Sequence, residues 1–297
     1  MAMKKRPPQP RLTRRACGTM GAHMFLLERY PSFRTRQQRL ENDTARRRAL
    51  GCLPAEIKLA KIKVIVHVVY KEPVQNISDA QITSQIKALN QDFRAKNSDK
   101  SKVPSVWNGL VADSQVLFEL YRVTRTQTSR TSFGADDSVK RTSSGGRSPT
   151  NPTRYLNFWV CPLSGGLLGY AQFPGGPKST DGVVVNYRAF GTMGTAQAPF
   201  NKGRTATHEV GHYLNLRHIW GDTEDCSGGD FVSDTPNCAG PNYGKPTFPT
   251  VTCGNGPNGD MFVNYMDYVD DAAMFMFSPQ QVARMRATLD GPRKQLW

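Results

Sequence analysis

The sequence predicts an α+β fold: a twisted mixed sheet backed by helices, then an irregular C-terminal part closed by one more helix. Three observations carry this. Residues 62–70 (IKVIVHVVY) are β-branched and almost wholly apolar, as a strand buried on both faces must be. Apolar residues then recur at helical spacing, at Ile82, Ile86, Leu89 and Phe93, with Ser78 placed to cap the helix. Beyond residue 218 the chain is rich in Gly, Pro, Asn and Asp, and regular structure returns only near Ser278.

The other elements follow in chain order. The first 57 residues are Pro-rich, then Arg-rich, with scattered apolar side chains (Phe25, Leu26, Leu27, Tyr30, Phe33, Leu40). That is too little to fold alone, so this head needs a surface to lie on. Further strands are predicted at 116–124, 155–161 and 182–187, and a helix begins at Arg204. Residues 142–152 (TSSGGRSPTNP) are a loop by composition. From Ser278, the run Ser-Pro-Gln-Gln supplies an N-cap, a proline at the first helical position and a Gln three residues after the cap, so 279–289 should be helical.

Length and charge limit the function classes. A chain of 297 residues with 38% hydrophobic residues can bury one large core or two modest ones. It has no apolar run of 18 residues, so no membrane-spanning helix and no membrane partner is expected. The net charge of +15 would suggest a nucleic-acid binder if it were spread evenly. It is not: residues 1–63 hold 16 Lys and Arg against 4 Asp and Glu, and the remaining residues hold 23 against 20. From Asp222 to Asp271 nine acidic residues face one lysine. With the charge confined to the head and no aromatic-basic platform beside it, no nucleic-acid partner is expected. The N-terminal stretch is basic without an apolar segment behind it, so a secretory signal is not expected within this chain.

The chemistry is concentrated at 208–218, HEVGHYLNLRH. Histidines four apart on a helix share one face, so His208 and His212 can reach one metal ion. A third imidazole cannot come from the same straight helix; the chain must turn first. Asn215 stands where that turn is needed, and Asn tolerates the left-handed conformation that ends helices. His218 can then complete a three-histidine site, and three protein ligands plus a water is the catalytic zinc arrangement. Glu209, beside the first ligand, is placed to act as general base on that water. With five His and seven Glu in the chain, a shuffled sequence would show His-Glu-x-x-His roughly twice in a thousand trials, so chance is a poor rival. A zinc peptidase taking a downstream Glu as third ligand is the competing design, but no Glu follows Glu224. The lone histidines His23 and His67 read as structural.

This motif, with VNYMDY at 263–268, resembles the metzincin clan of zinc endopeptidases and, within it, the pappalysin family and its small microbial members. The likeness spans nearly the whole chain: CGTM (17–20), LLGYAQFPGG (167–176), SDTPN (233–237), GPNGDMFVNYMDY (256–268) and MFMFS (274–278). Asn215 departs from it, since most metzincins have Gly there. The resemblance implies a metzincin-type catalytic domain at 58–297, with an upper subdomain at 58–215 and a lower one at 216–297. Met266 would form the Met-turn beneath the zinc, and Tyr268 would stabilise the oxyanion. Residues 167–174 would be the upper edge strand of the cleft, to which a peptide substrate adds itself.

The acidic stretch has two readings. Asp222, Glu224, Asp225, Asp230, Asp234 and Thr235 make an oxygen-rich loop suited to calcium, and the resemblance singles out Asp230 and Thr235, with Asp234 between them. Asp267, Asp270 and Asp271 lie where metzincins line the pocket for the residue after the scissile bond. A carboxylate there favours Arg or Lys at P1′, and Asp270 or Asp271 is the candidate floor; a hydrophobic P1′ preference is the alternative. The basic head then reads as an inhibitory pro-segment, 1–57, lying over an acidic cleft. Cys17 in RRACGTM resembles a cysteine switch: its thiolate would take the fourth zinc position, favoured by Arg14 and Arg15. An enzyme cutting before Arg or Lys could remove its own head, at the bonds preceding Arg46, Lys58 or Lys61. The resemblance pairs Cys226 with Cys253 in a disulfide; Cys238 fits no pairing, and Cys52 and Cys161 are expected to be free. The sequence thus predicts a secreted, monomeric, zinc- and calcium-dependent endopeptidase acting on peptides and held latent by its own pro-segment.

Overall fold

The computed structural model describes residues 12–49 and 58–297. Two helices open the chain, α1 (Thr19–Arg29) and α2 (Pro31–Ala49), and strand β1 (Ala60–Tyr70) and helix α3 (Asp79–Phe93) follow. Next come β2 (Val116–Gln127), β3 (Leu156–Cys161), β4 (Gly169–Ala171), β5 (Val183–Asn186) and helix α4 (Arg204–Tyr213). The lower part carries β6 (Tyr243–Gly244), β7 (Tyr268–Val269) and helix α5 (Pro279–Asp290). Five strands form one mixed sheet in the order β2-β1-β3-β5-β4, parallel throughout except for β4.

The continuous apolar run of β1 has the predicted cause. Ile62, Val64, Val66 and Val68 enter the main core with α3 and α4, while Val69 packs on the opposite face with Trp159, Tyr170 and Val184. Both caps form: Ser78 accepts from the Gln81 amide, and Ser278 with Gln281 makes a reciprocal capping box. His67 is buried between Thr124 (2.7 Å) and Asn157 (2.8 Å), a structural histidine as expected. His23 is likewise buried, against Phe33 and Phe173, and burial lowers it to about 3.

The head differs from expectation in being helical. α2 is polar nearly all round, so composition hides it; it is held by what it lies on. Leu26 and Phe33 pack with Phe173. Glu41 binds Arg284 of α5 (2.5 Å) and accepts from Asn215 Nδ2 (3.2 Å). Arg284 is 2% exposed and also donates to the Asn215 carbonyl (2.7 Å), so the head is tied to the turn that follows α4.

Of the three cleavage bonds suggested by sequence, the one before Lys61 lies inside β1, where Lys61 pairs with Leu117, and the one before Arg46 lies inside α2. Both are in regular structure that a protease cannot thread without local unfolding. Lys58 precedes β1 at the edge of the described residues. Cys226 and Cys253 are joined, with Cα atoms 5.4 Å apart. Among the described residues Cys161 and Cys238 are free and buried; Cys52 lies outside them.

Candidate metal centre

Helix α4 is fully buried and carries His208, Glu209 and His212. It ends in a Schellman turn: the Leu216 amide bonds to the Gly211 carbonyl (2.9 Å) and the Asn215 amide to the His212 carbonyl (2.9 Å). Asn215 adopts φ +77°, the left-handed conformation expected of it. That reversal returns His218 to the other two imidazoles.

The three Nε2 atoms lie 3.0–3.2 Å from one another. Each ring is oriented through Nδ1: His208 donates to the Tyr265 carbonyl (2.8 Å), His212 to the Leu216 carbonyl (2.9 Å) and His218 to Asp222 Oδ1 (2.5 Å). Carbonyl oxygens only accept, so the Nδ1 atoms hold the protons and three lone pairs converge at Nε2. Burial also pushes His208 and His212 well below the ordinary imidazole range. Only a cation suits such a cradle. A tetrahedral ion with bonds near 2.0–2.1 Å would set nitrogens about 3.3 Å apart, close to the observed spacing. Cys17 Sγ completes the cluster, all four ligand atoms lying within 4.8 Å of one another.

Two glycines let the site close. A Cβ on Gly211 would stand 2.4 Å from Met266 Sδ, so the mid-helix glycine admits the methionine close against α4. A Cβ on Gly169 would meet Glu209 Cγ at 2.8 Å, so β4 passes over the carboxylate only with a bare backbone. Tyr268, on β7, faces the same centre: its ring is 4.9 Å from His218 and 5.7 Å from His208. Burial, with Cys17 and Glu209 nearby, pushes its phenol above the ordinary range and keeps it a donor.

The head occupies the cleft as an added strand. Gly18 N–H donates to the Gly169 carbonyl (2.9 Å) and Leu168 N–H to the Ala16 carbonyl (2.9 Å), in parallel register with β4. Thr19 Oγ1 donates to Glu209 Oε2 (2.8 Å) and accepts from Ala171 N–H (2.8 Å). Arg15 is 2% exposed and forks three ways: to the Val269 carbonyl (3.2 Å), to Thr205 Oγ1 (3.2 Å) and to Asp271 Oδ1 (2.7 Å). Asp271 is itself fixed by the Lys202 (2.7 Å) and Arg204 (3.3 Å) amides at the start of α4. Asp270 instead sits half-buried on the rim, its amide bonded to the Gly244 carbonyl (2.8 Å).

One sequence expectation is corrected here, and the acidic residues are given their places. Arg14 and Arg15 do not favour a Cys17 thiolate. Arg15 is committed to Asp271 and Arg14 lies over the Tyr243 ring, so neither guanidinium is turned to the Cys17 sulfur. Asp222 Oδ1 pairs with His218 Nδ1 (2.5 Å) and orients that ring. Asp234 gives one oxygen to Ser278 (2.6 Å) and the other to the Gln280 amide (2.8 Å), anchoring the start of α5. Asp230 is buried and held by Thr235 Oγ1 (2.7 Å), and desolvation raises it to about 7. Sequence reasoning missed Thr19, and it missed Trp220, whose ring stacks on His218 at 4.3 Å. Thr19 stands two residues after Cys17, the same-face spacing of a strand, which was the available signal.

Fold and site together define a metalloendopeptidase. The peptidase family described as pregnancy-associated plasma protein-A matches residues 145–290. An extracellular metalloprotease of Arthroderma benhamiae is 32% identical over 231 residues, covering 75% of each chain. Among solved structures, Tannerella forsythia mature mirolysin in complex with a cleaved peptide is 48% identical with a TM-score of 0.79, covering 81% of this chain and 96% of that one. A mutant of Tannerella forsythia promirolysin is 43% identical with a TM-score of 0.84, covering 95% of this chain and 97% of that one. The chain belongs to the pappalysin family and shares the metzincin fold of mirolysin.

Proposed function

We propose that this chain is the latent form of a secreted zinc endopeptidase that cleaves before Arg or Lys. The pose of the head carries the reading: Cys17 joins the three imidazoles while Arg15, two residues before it, fills the pocket floored by Asp271. His208, His212 and His218 would hold the zinc, with Cys17 as fourth ligand in the latent state. Bound zinc lowers the pKa of a coordinated water and polarises the scissile carbonyl. Glu209, freed from Thr19, takes the proton of the attacking water and passes it to the leaving amine. Tyr268 donates its phenolic proton in a hydrogen bond to the developing oxyanion, with Met266 packed below as a support. β4 aligns the peptide backbone through its open edge.

In a substrate the P1′ side chain lies after the scissile bond. Arg15 lies before Cys17, so with the Asp271 pocket as S1′ the head runs opposite to a substrate and presents no bond for cleavage. Residues 1–57 act as the pro-segment and 58–297 as the catalytic domain, divided at 215/216. The coverage of mature mirolysin supports this, since 240 of 297 residues is the same 81% of the chain. Asp230 and Thr235, with Asp234 between them, are the residues proposed for calcium, since a cation would offset the Asp230 carboxylate, which burial raises to about 7 even with Thr235 and Arg284 near it. The extracellular relatives and the disulfide support secretion. Among the described residues no helix is long and apolar enough to cross a membrane, and the proposed working unit is a monomer.

Cobalt substitution tests the centre. The latent chain should show a sulfur-to-metal charge-transfer band that Cys17→Ala abolishes, and Glu209→Gln should remove peptide hydrolysis. Digestion of a peptide library by the activated enzyme tests the pocket: Arg or Lys should dominate P1′, and Asp271→Asn should erase that preference. A hydrophobic P1′ profile would defeat the specificity reading.

A further inference from the structure

The head passes beyond the Asp271 pocket, and its next side chain also finds a partner. Arg14 lies with its guanidinium 3.6 Å from the centroid of the Tyr243 ring. Tyr243 is half-buried on β6, directly paired with Tyr268 on β7, and its ring leans on that of Tyr268 at 5.9 Å. It is therefore a fixed aromatic face one step along the cleft from the S1′ floor. The head bends at Arg14, so the two neighbouring arginines reach different surfaces. Arg15 does point inward, to the Val269 carbonyl and Asp271, while Arg14 is exposed and lies on the outer aromatic face.

We propose that Tyr243 forms the S2′ subsite, a cation–π platform selecting a basic, preferably arginine, side chain at the second position after the scissile bond. The inference rests on the reading that Asp271 floors S1′, which sets the register. The ring's negative face attracts a cation, and the planar guanidinium can lie flat on it as a compact ammonium cannot. Since the contact is open to solvent, it adds selectivity on top of the buried P1′ pair and does not replace it. Dibasic sequences, with the cut before the first basic residue, are then the preferred substrates.

The full chain, expressed and allowed to release its head, is assayed on peptides that vary P1′ (Arg or Gln) and P2′ (Arg, Lys, Gln or Leu). At P2′, kcat/KM for Arg over Gln should be about two- to fivefold, the range of exposed cation–π contacts, with Lys between them. Tyr243→Phe should keep this ratio, and Tyr243→Leu, which fills similar volume without a π face, should bring it to one. Equal rates for Arg and Gln at P2′, or a ratio unchanged by Tyr243→Leu, overturns the subsite alone when the P1′ preference for Arg persists. Loss of the P1′ preference in the same panel overturns the register and the subsite with it. The ratio within each variant is independent of how much active enzyme survives, so a poorly folding variant does not blur the result.

Discussion

Replacing Arg15 by Ala should weaken latency without touching the metal centre. In the Arg15–Asp271 pair the contact is 2.7 Å and the side chains are 1% and 0% exposed. Removing one partner of such a pair costs about 3–5 kcal/mol, because a buried charge loses its counter-charge. Asp271 keeps its amide bonds from Lys202 and Arg204, and water can enter the vacated pocket, so the low end applies. About 3 kcal/mol is on the order of a hundredfold in the ratio of closed to open head. The assay follows hydrolysis of a quenched peptide by freshly purified full chain, reading the initial rate and the time to half-activation. Arg15→Ala should start leaky and activate far faster. Arg15→Lys should fall between, since an ammonium can reach the carboxylate but cannot reproduce the fork to Val269 and Thr205. A desolvated pair is weakly screened, so wild-type latency should change little between about 0.05 and 0.5 M salt. If Arg15→Ala remains latent as long as the wild type, the pocket does not hold the head and the reasoning fails.

Three further outcomes follow from the geometry. Gly211→Ala places a Cβ 2.4 Å from Met266 Sδ; overpacking should cost about 1–3 kcal/mol, exceeding any gain in helix propensity, and should show as a lower urea midpoint with reduced metal content. Asp92 is buried and burial raises it to about 6, above its unfolded value of 3.8, despite Arg204, Thr207 and Tyr265 beside it. The folded state thus holds a proton that the unfolded state has released, so this group makes stability fall as pH rises from about 4 to 6. Asp92→Asn should flatten that part of the denaturation profile, and an unchanged slope would place the proton elsewhere. Reducing the Cys226–Cys253 bridge reopens a loop of sequence separation 27 and should remove about 3.5 kcal/mol in the chain-entropy model, read as a lower melting temperature in reductant.

Elements whose physics is local were legible in the sequence. β1 shows as an apolar run because it is buried on both faces, and α5 announces itself through the Ser278–Gln281 capping box. The three histidines and Asn215 were legible for the same reason: helix periodicity and left-handed tolerance are properties of a few neighbouring residues. What escaped depends on distant partners. α1 and α2 lack a clear apolar stripe and are held by Phe173, Arg284 and β4, all more than a hundred residues away. In sequence Arg15 suggests an effect on Cys17, two residues on, but its guanidinium reaches residue 271. The acidic composition of 222–235 gave no means of separating Asp222, which orients His218, from Asp234, which holds α5.

The tie from Glu41 through Arg284 to Asn215 would couple the proposed activation to ageing. While the head stays on, it braces the bend that sets the spacing of the second and third ligands and covers a guanidinium drawn from the C-terminal helix. Were the head released as proposed, the working enzyme would keep the bend and lose the brace. The latent form would then be the more durable one, and the proposed release that starts catalysis would also start the clock on the catalyst's own decay.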